Sequence, residues 1–259
     1  MNHWTDLSVQ YAEQRSYLDD LFRVYPTIPE GIRDIDISVW KSVEAAFNAR
    51  DNVNLLMNLL GLDLFPIKDS YVAYLRRDSS AIGRNPATVN RLCGRLYEMG
   101  LGEMFERCSE PKETNRQIGP LFRRWLEQRH LGVPVLDQGE FIRTNDNAIL
   151  RGSDKELRDF AVANLGYKRD KGLDFVARFN GQYVIGEAKF LTDFGGHQLA
   201  QFQDAIETIK AEGVGAIIIA ILDGVLYIRG DHKMFRHIQQ HENHNIMSAL
   251  VLREFLYHI

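Results

Sequence analysis

Residues 171–205 read KGLDFVARFNGQYVIGEAKFLTDFGGHQLAQFQDA, and the order of residue types in this stretch decides the fold. Asn180-Gly181 separates two segments of alternating character, Leu173–Phe179 and Gln182–Lys189. Asn-Gly is the strongest short hairpin signal, because both residues tolerate the positive φ of a type I′ turn. A two-residue turn also fixes the register: Phe179 faces Gln182, and counting outward brings Asp174 directly opposite Glu187. Opposed residues share one face of the sheet, with Cβ atoms roughly 4.5–5.5 Å apart. Lys189, two residues past Glu187, points to that face as well. Phe175, Ala177, Phe179, Val184 and Ala188 fall on the other one, so the pattern predicts a charged face and a packed face.

Outward from the hairpin, residues 197–212 read as an amphipathic helix with Leu199, Phe202, Ile206 and Ile209 inward. Val214–Ile221 (VGAIIIAI) has almost no polar member, as in a strand buried on both faces. Strand, helix and buried strand in that order predict a right-handed parallel crossover. Helices are expected near 231–241 and 247–257. Upstream, Ser153–Leu165 reads as a helix with a capping box of Ser153 and Glu156, and short strands are expected at Val133–Leu136 and Phe141–Arg143. Residues before about 130 carry helical spacing near 5–23, 38–60, 88–99 and Asn115–His130, broken at Pro26, Pro29, Gly61, Pro66 and Gly100. The expected organisation is a mainly helical region over 1–130 and a mixed-sheet α/β core over 131–259.

The chain has 259 residues, 45% hydrophobic and 25% charged, as in an ordinary globular protein. No apolar run reaches the roughly 18–20 residues that span a bilayer. The start, MNHWTDLSVQ, lacks the basic and apolar parts of a signal peptide. Cys93 and Cys108 show neither metal-ligand spacing nor a disulfide framework, so a reduced, cytoplasmic setting is expected. The net charge of −4 is unevenly spread: residues 1–70 carry 6 Lys/Arg against 11 Asp/Glu, residues 71–130 carry 11 against 7, and residues 131–259 carry 14 against 17. A basic middle in an acidic chain is compatible with phosphate binding, and equally with a solvated helix surface. His241-Glu242-Asn243-His244 does not have the four-residue His spacing of a zinc protease helix and reads as surface.

Two directly opposed carboxylates repel unless positive charge sits between them. A hard divalent cation suits the place: magnesium takes oxygen ligands, here Asp174, Glu187 and the carbonyl of Ala188. Lys189 then positions or deprotonates an attacking water, or stabilises the charge that develops at phosphorus. The plainer alternative is a surface ion-pair cluster. Gly172-Leu173-Asp174, twelve residues, then Glu187-Ala188-Lys189 resembles the signature of the PD-(D/E)xK nuclease superfamily, and the stretch 171–205 is most similar to type II restriction endonucleases. Leu173 stands where the usual proline precedes the first acid. The resemblance covers roughly residues 150–230. It implies a restriction-endonuclease-like core and Mg²⁺-dependent hydrolysis of double-stranded DNA, with Mn²⁺ able to substitute. It further implies Asp174 and Glu187 as metal ligands, Lys189 as the catalytic lysine, and a homodimer that cuts both strands.

Members of that superfamily often carry a further acid on the preceding helix. Asp154, in line with Leu157, Ala161 and Leu165, is the candidate outer metal ligand, though an acid at a helix start is also favoured by the helix dipole alone. Gly195-Gly196-His197-Gln198 opens a helix whose free N–H groups can hold a phosphate, with His197, Gln198 and Gln201 toward DNA, or is a plain Gly-containing turn with polar caps. Asn115, Arg116, Gln117, Arg123 and Arg124 are residue types that read bases in the major groove, with Arg84 beside Asn85 as a further candidate DNA contact; the plainer alternative is an exposed helix face. Two other functions fit the same core: a structure-specific repair or junction nuclease, and a catalytically inactive DNA-binding regulator.

Overall fold

A computed structural model describes residues 1–14, 16–27, 34–110 and 117–259. Its central sheet orders six strands as they occur in the chain: β1 (Val135–Leu136), β2 (Ala148–Leu150), β3 (Phe175–Phe179), β4 (Gln182–Leu191), β5 (Ile217–Gly224) and β6 (Asn245–Met247). The β2–β3 and β3–β4 pairs are antiparallel; β1–β2, β4–β5 and β5–β6 are parallel. The β3–β4 register is the one read from the turn, running from Phe179 opposite Gln182 to Phe175 opposite Gly186. Asn180 and Gly181 turn the chain at φ 48° and 78°, the positive angles that asparagine and glycine adopt with little strain.

The helices are α1 (His3–Ala12), α2 (Tyr17–Val24), α3 (Ile37–Asn48), α4 (Asn52–Leu60), α5 (Ser70–Arg77), α6 (Ala81–Arg84), α7 (Pro86–Cys108), α8 (Ile118–Glu127), α9 (Gln138–Arg143), α10 (Asp154–Leu165), α11 (Gly196–Ile209), α12 (Lys233–Gln240) and α13 (Ala249–His258). Among the described residues no helix is long and apolar enough to cross a membrane. The fold is thus α/β, a mixed sheet with a largely helical amino-terminal part, as expected. Two compact units divide it differently from the expected boundary at residue 130: one comprises Met1–Thr27 with Thr114–Ile259, the other Ile28–Glu113. The reason is packing. Trp4 and Val9 of α1, Leu21 of α2, and Leu121, Phe122 and Trp125 of α8 are buried in the same cluster as Phe175, Phe179 and Val184 of the sheet.

Both faces of this sheet are covered. Phe175, Ala177 and Val184 face the cluster just described, whereas Val176 and Ile185 pack with Leu157, Phe160 and Ala161 of α10. Each valine, leucine, isoleucine or phenylalanine among them contributes about 1.5–3 kcal/mol when removed from water. The capping box forms, with Ser153 and Glu156 satisfying each other's backbone donors. In the second unit, Trp40, Val43, Leu55, Leu56, Leu59, Leu92 and Leu96 make a separate core. Asp36, Asp51 and Asp69 cap its helices by accepting backbone N–H groups, which employs part of the acid excess of residues 1–70.

Phe141–Arg143 is not a strand but the end of α9: Phe141 alone is buried there and Ile142 is half exposed, a pattern too short to distinguish the two periods. The strand in this region is β2, three buried residues that follow. The expected helices 5–23 and 38–60 are each two helices, and 88–99 is part of α7, which bends at Gly100 (φ 78°). The apolar strand runs to Gly224 rather than ending at Ile221, because Asp223 finds buried partners: Tyr25 Oη donates to it at 2.8 Å, and Ser248 Oγ and the Ala249 N–H donate as well.

Burial pushes the Asp223 carboxyl up to about 6, against the hydrogen bonds that oppose the shift. An unfolded aspartate titrates near about 3.9, so between about pH 4 and 6 the folded chain binds the extra proton. Stability therefore falls as pH rises through that window and is flat above it. Asp223→Asn should remove the slope. The difference in unfolding free energy between wild type and variant should change by about 3 kcal/mol from pH 4 to 7. Parallel denaturation curves at both pH values would refute the assignment.

Candidate active site

Asp174 lies one residue before β3, and its side chain extends the ladder that the backbone leaves. Its N–H donates to the Gly186 carbonyl at 3.0 Å, while its Oδ2 accepts the Ala188 N–H at 2.9 Å. The loop before it is tied to the start of α10 by the Leu173 N–H, which donates to the Asp154 carbonyl at 3.1 Å. Gly172 permits this approach, since a Cβ there would stand 2.8 Å from that of Asp154. Strand pairing and a helix end thus fix Asp174 without its own ladder partner.

Glu187, in the middle of β4, is 1% exposed. The expectation of a charged face opposite a packed one is corrected here, because Val176 and Ile185 on the face of the acids pack against α10, and Thr208 of α11 reaches Glu187. Thr208 Oγ1 of α11 donates to Glu187 Oε1, and to the Asp204 carbonyl at 3.1 Å. Glu187 Oε2 has the Lys171 and Lys189 ammonium groups at 3.0 and 3.4 Å, neither in hydrogen-bond alignment.

Lys189 Nζ collects the cluster. It donates to Asp174 Oδ2 at 2.8 Å and to the Ala188 carbonyl at 3.2 Å, with Glu187 Oε2 next nearest. Burial by itself would lower its pKa; the Asp174 and Glu187 carboxylates outweigh burial and hold it above the usual lysine range. Three oxygens from three residues therefore converge on one positive charge. An oxygen-only donor set of this kind also fits a hard divalent cation. A cavity of about 30 Å³, room for about one water, lies against Asp174 and is lined also by Arg123, Glu127 and Arg151.

Three contributors had no role in the sequence reading. Lys171 bridges Glu187 and Asp204, the latter at 2.7 Å, and holds Asp204 below the usual carboxylate range. Asp204 and Thr208 stand four apart on α11, the spacing that puts two residues on one helix face, which was the available signal.

The remaining candidates are dispersed. Asp154 does not join the acids: it is exposed, with its carboxylate paired to Arg123. Among the described residues no three His, Cys, Asp or Glu side chains are grouped to hold a metal. Gln198 is buried and accepts the Thr192 N–H at 3.3 Å, so it secures the end of β4, while Gln201 bonds His197 at 2.9 Å. Gln117 precedes α8 as its N-cap residue, and Arg124 is exposed on α8. Arg84, in the helical unit, pairs with Asp78 at 2.6 Å. Asn115 and Arg116 lie outside the described residues.

No curated protein and no solved structure matches the chain. A family model described as Tsp45I type II restriction enzyme matches residues 2–259, almost from end to end. The chain therefore belongs to the Tsp45I type II restriction enzyme family, whose members are sequence-specific endonucleases acting on DNA.

Proposed function

We propose that Asp174, Glu187 and Lys189 form the catalytic centre of this endonuclease, in the manner of the PD-(D/E)xK nucleases. The observation that carries the proposal is the convergence of Asp174 Oδ2, Glu187 Oε2 and the Ala188 carbonyl on Lys189 Nζ. Those three oxygens would hold Mg²⁺, or Mn²⁺ in its stead. When bound, such an ion polarises a phosphoryl oxygen and eases deprotonation of water. Asp154 is the weaker candidate ligand, given its pairing with Arg123.

The chain's own residues supply the rest. Thr208 holds one Glu187 oxygen and so orients the other toward the cluster. The Lys189 ammonium is placed to donate to a phosphoryl oxygen as negative charge builds on it during attack by water and loss of the bridging oxygen. Arg123, beside the cavity at Asp174, is suited to a neighbouring phosphate. Gln117, Arg124, His197 and Gln201 are proposed as outer DNA contacts, with Gln198 buried behind them. One such centre cuts one strand, so a homodimer is the economical way to cut both.

Recognition we assign in part to the helical unit. A cleft of about 360 Å³ there is lined by Tyr71, Tyr74, Leu75, Arg84, Asn85 and Thr88. Both tyrosines are about 60% exposed, at 61% and 60%. Residues 70–95 carry five arginines and one aspartate. Exposed aromatic, amide and guanidinium groups in a positive setting match a nucleic-acid partner.

Two outcomes are expected. With Mg²⁺, the protein should cut plasmid DNA into discrete fragments. Asp174→Asn, Glu187→Gln and Lys189→Met should each lower the cleavage rate by about a hundredfold or more with the circular dichroism spectrum intact; wild-type cutting by any one removes that residue from the centre. Separately, Arg84→Ala should weaken DNA binding and reduce the salt-dependence slope by about 1, leaving the cleavage rate at saturating DNA unchanged. An unaltered binding isotherm across salt would exclude the cleft.

A further inference from the structure

The two oxygens of Glu187 are held differently. Oε1 takes the Thr208 hydroxyl, whereas Oε2 is buried and meets only ammonium groups that are not aligned for hydrogen bonding. A buried carboxylate oxygen with charge balance but no directed bond is held at a cost. It is the atom on which an incoming cation gains most.

Lys171 is the nearer of the two ammonium groups on Oε2, at 3.0 Å, and it is shared. Asp204 Oδ2 stands 2.7 Å from the same Nζ, and the Asp204 side chain is 60% exposed. Lys171 thus has two carboxylates within reach, one enclosed at the centre and one at the surface. The same helix, α11, carries Asp204 and the Thr208 that anchors Glu187.

We propose that Lys171 is a displaceable counter-ion: it neutralises Glu187 while no divalent cation is bound, and yields Oε2 to the cation by withdrawing onto Asp204. The inference rests on the reading that Glu187 holds the divalent ion. Lys171 is then a positioning residue, and Asp204 its alternative seat. Their joint effect is to keep the two acids at the centre balanced before metal arrives without blocking its arrival.

Thermal unfolding of the full chain across a Mg²⁺ series, without DNA, reads apparent metal affinity through the rise in melting temperature. Lys171→Met removes the competitor and should tighten apparent affinity about fivefold. Asp204→Asn removes the seat and should loosen it by a similar factor. Opposite signs alone would also follow from a changed local field, in which case the double variant would lie midway, near wild type. If Asp204 acts only by receiving Lys171, the double variant should instead match Lys171→Met. A midway double variant, or single variants that leave affinity unchanged while Glu187→Gln abolishes the Mg²⁺ shift, overturns the counter-ion role and keeps the metal reading. A wild-type melting temperature that ignores Mg²⁺, or a shift that survives in Glu187→Gln, overturns the metal reading and this inference with it. If Lys171→Met fails to fold, Lys171→Gln takes its place in both the single and the double variant, with the same outcomes read.

Discussion

Two carboxylates gathered on one lysine at the β3–β4 hairpin, Asp174 just before β3 and Glu187 within β4, are the constraint from which the rest of this structure follows. The hairpin at Asn180-Gly181 leaves Asp174 and Glu187 no freedom to move apart, because a one-residue slip would turn Phe175, Ala177 and Val184 out of the core. Apolar burial on one face therefore enforces electrostatic repulsion on the other. The sheet tolerates this only because positive charge is supplied locally, by Lys189 from β4 itself and by Lys171 from the loop before β3. Gly172 and the Leu173–Asp154 backbone bond set where that loop runs, so the start of α10 is part of the same arrangement.

What the sequence discloses depends on how local the determining interaction is. The register was legible because a two-residue turn and a two-residue period leave one solution, and the coordinates agree pair by pair from Phe179–Gln182 to Phe175–Gly186. The helix carrying Ser153 and Glu156 was legible because both ends of its capping box lie within four residues. Lys171, Asp204 and Thr208 were not, since their meeting at Glu187 depends on how α11 crosses the sheet. Helical periodicity put Asp154 in line with Leu157 and Ala161, but it says nothing of what stands opposite the first turn, which proves to be Arg123. The strands β2 and β6, three residues each, are too short to show a period at all. The placing of α1, α2 and α8 with the sheet was not legible for a related reason: they look like any amphipathic helices until the sheet supplies the surface that they bury.

Neighbouring strands of this sheet carry two enclosed acids, and their partners distinguish them. Asp223, on β5, is held by neutral donors from Tyr25, Ser248 and the Ala249 backbone, and its carboxyl is pushed up to about 6. Neutral donors satisfy lone pairs, but they leave a buried charge unbalanced, so that site is protonated more readily than a free aspartate and joins α2, α13 and β5 as a structural knot. Glu187, on β4, has one hydroxyl and two ammonium groups, with Asp174 across the hairpin. Ammonium groups balance charge and can be replaced by another cation without leaving the acid unpaired, whereas the hydroxyl knot has nothing to exchange. Burial alone would not tell these two carboxylates apart. The charge of their partners does, and it marks the β3–β4 face as the place where ionic chemistry is possible.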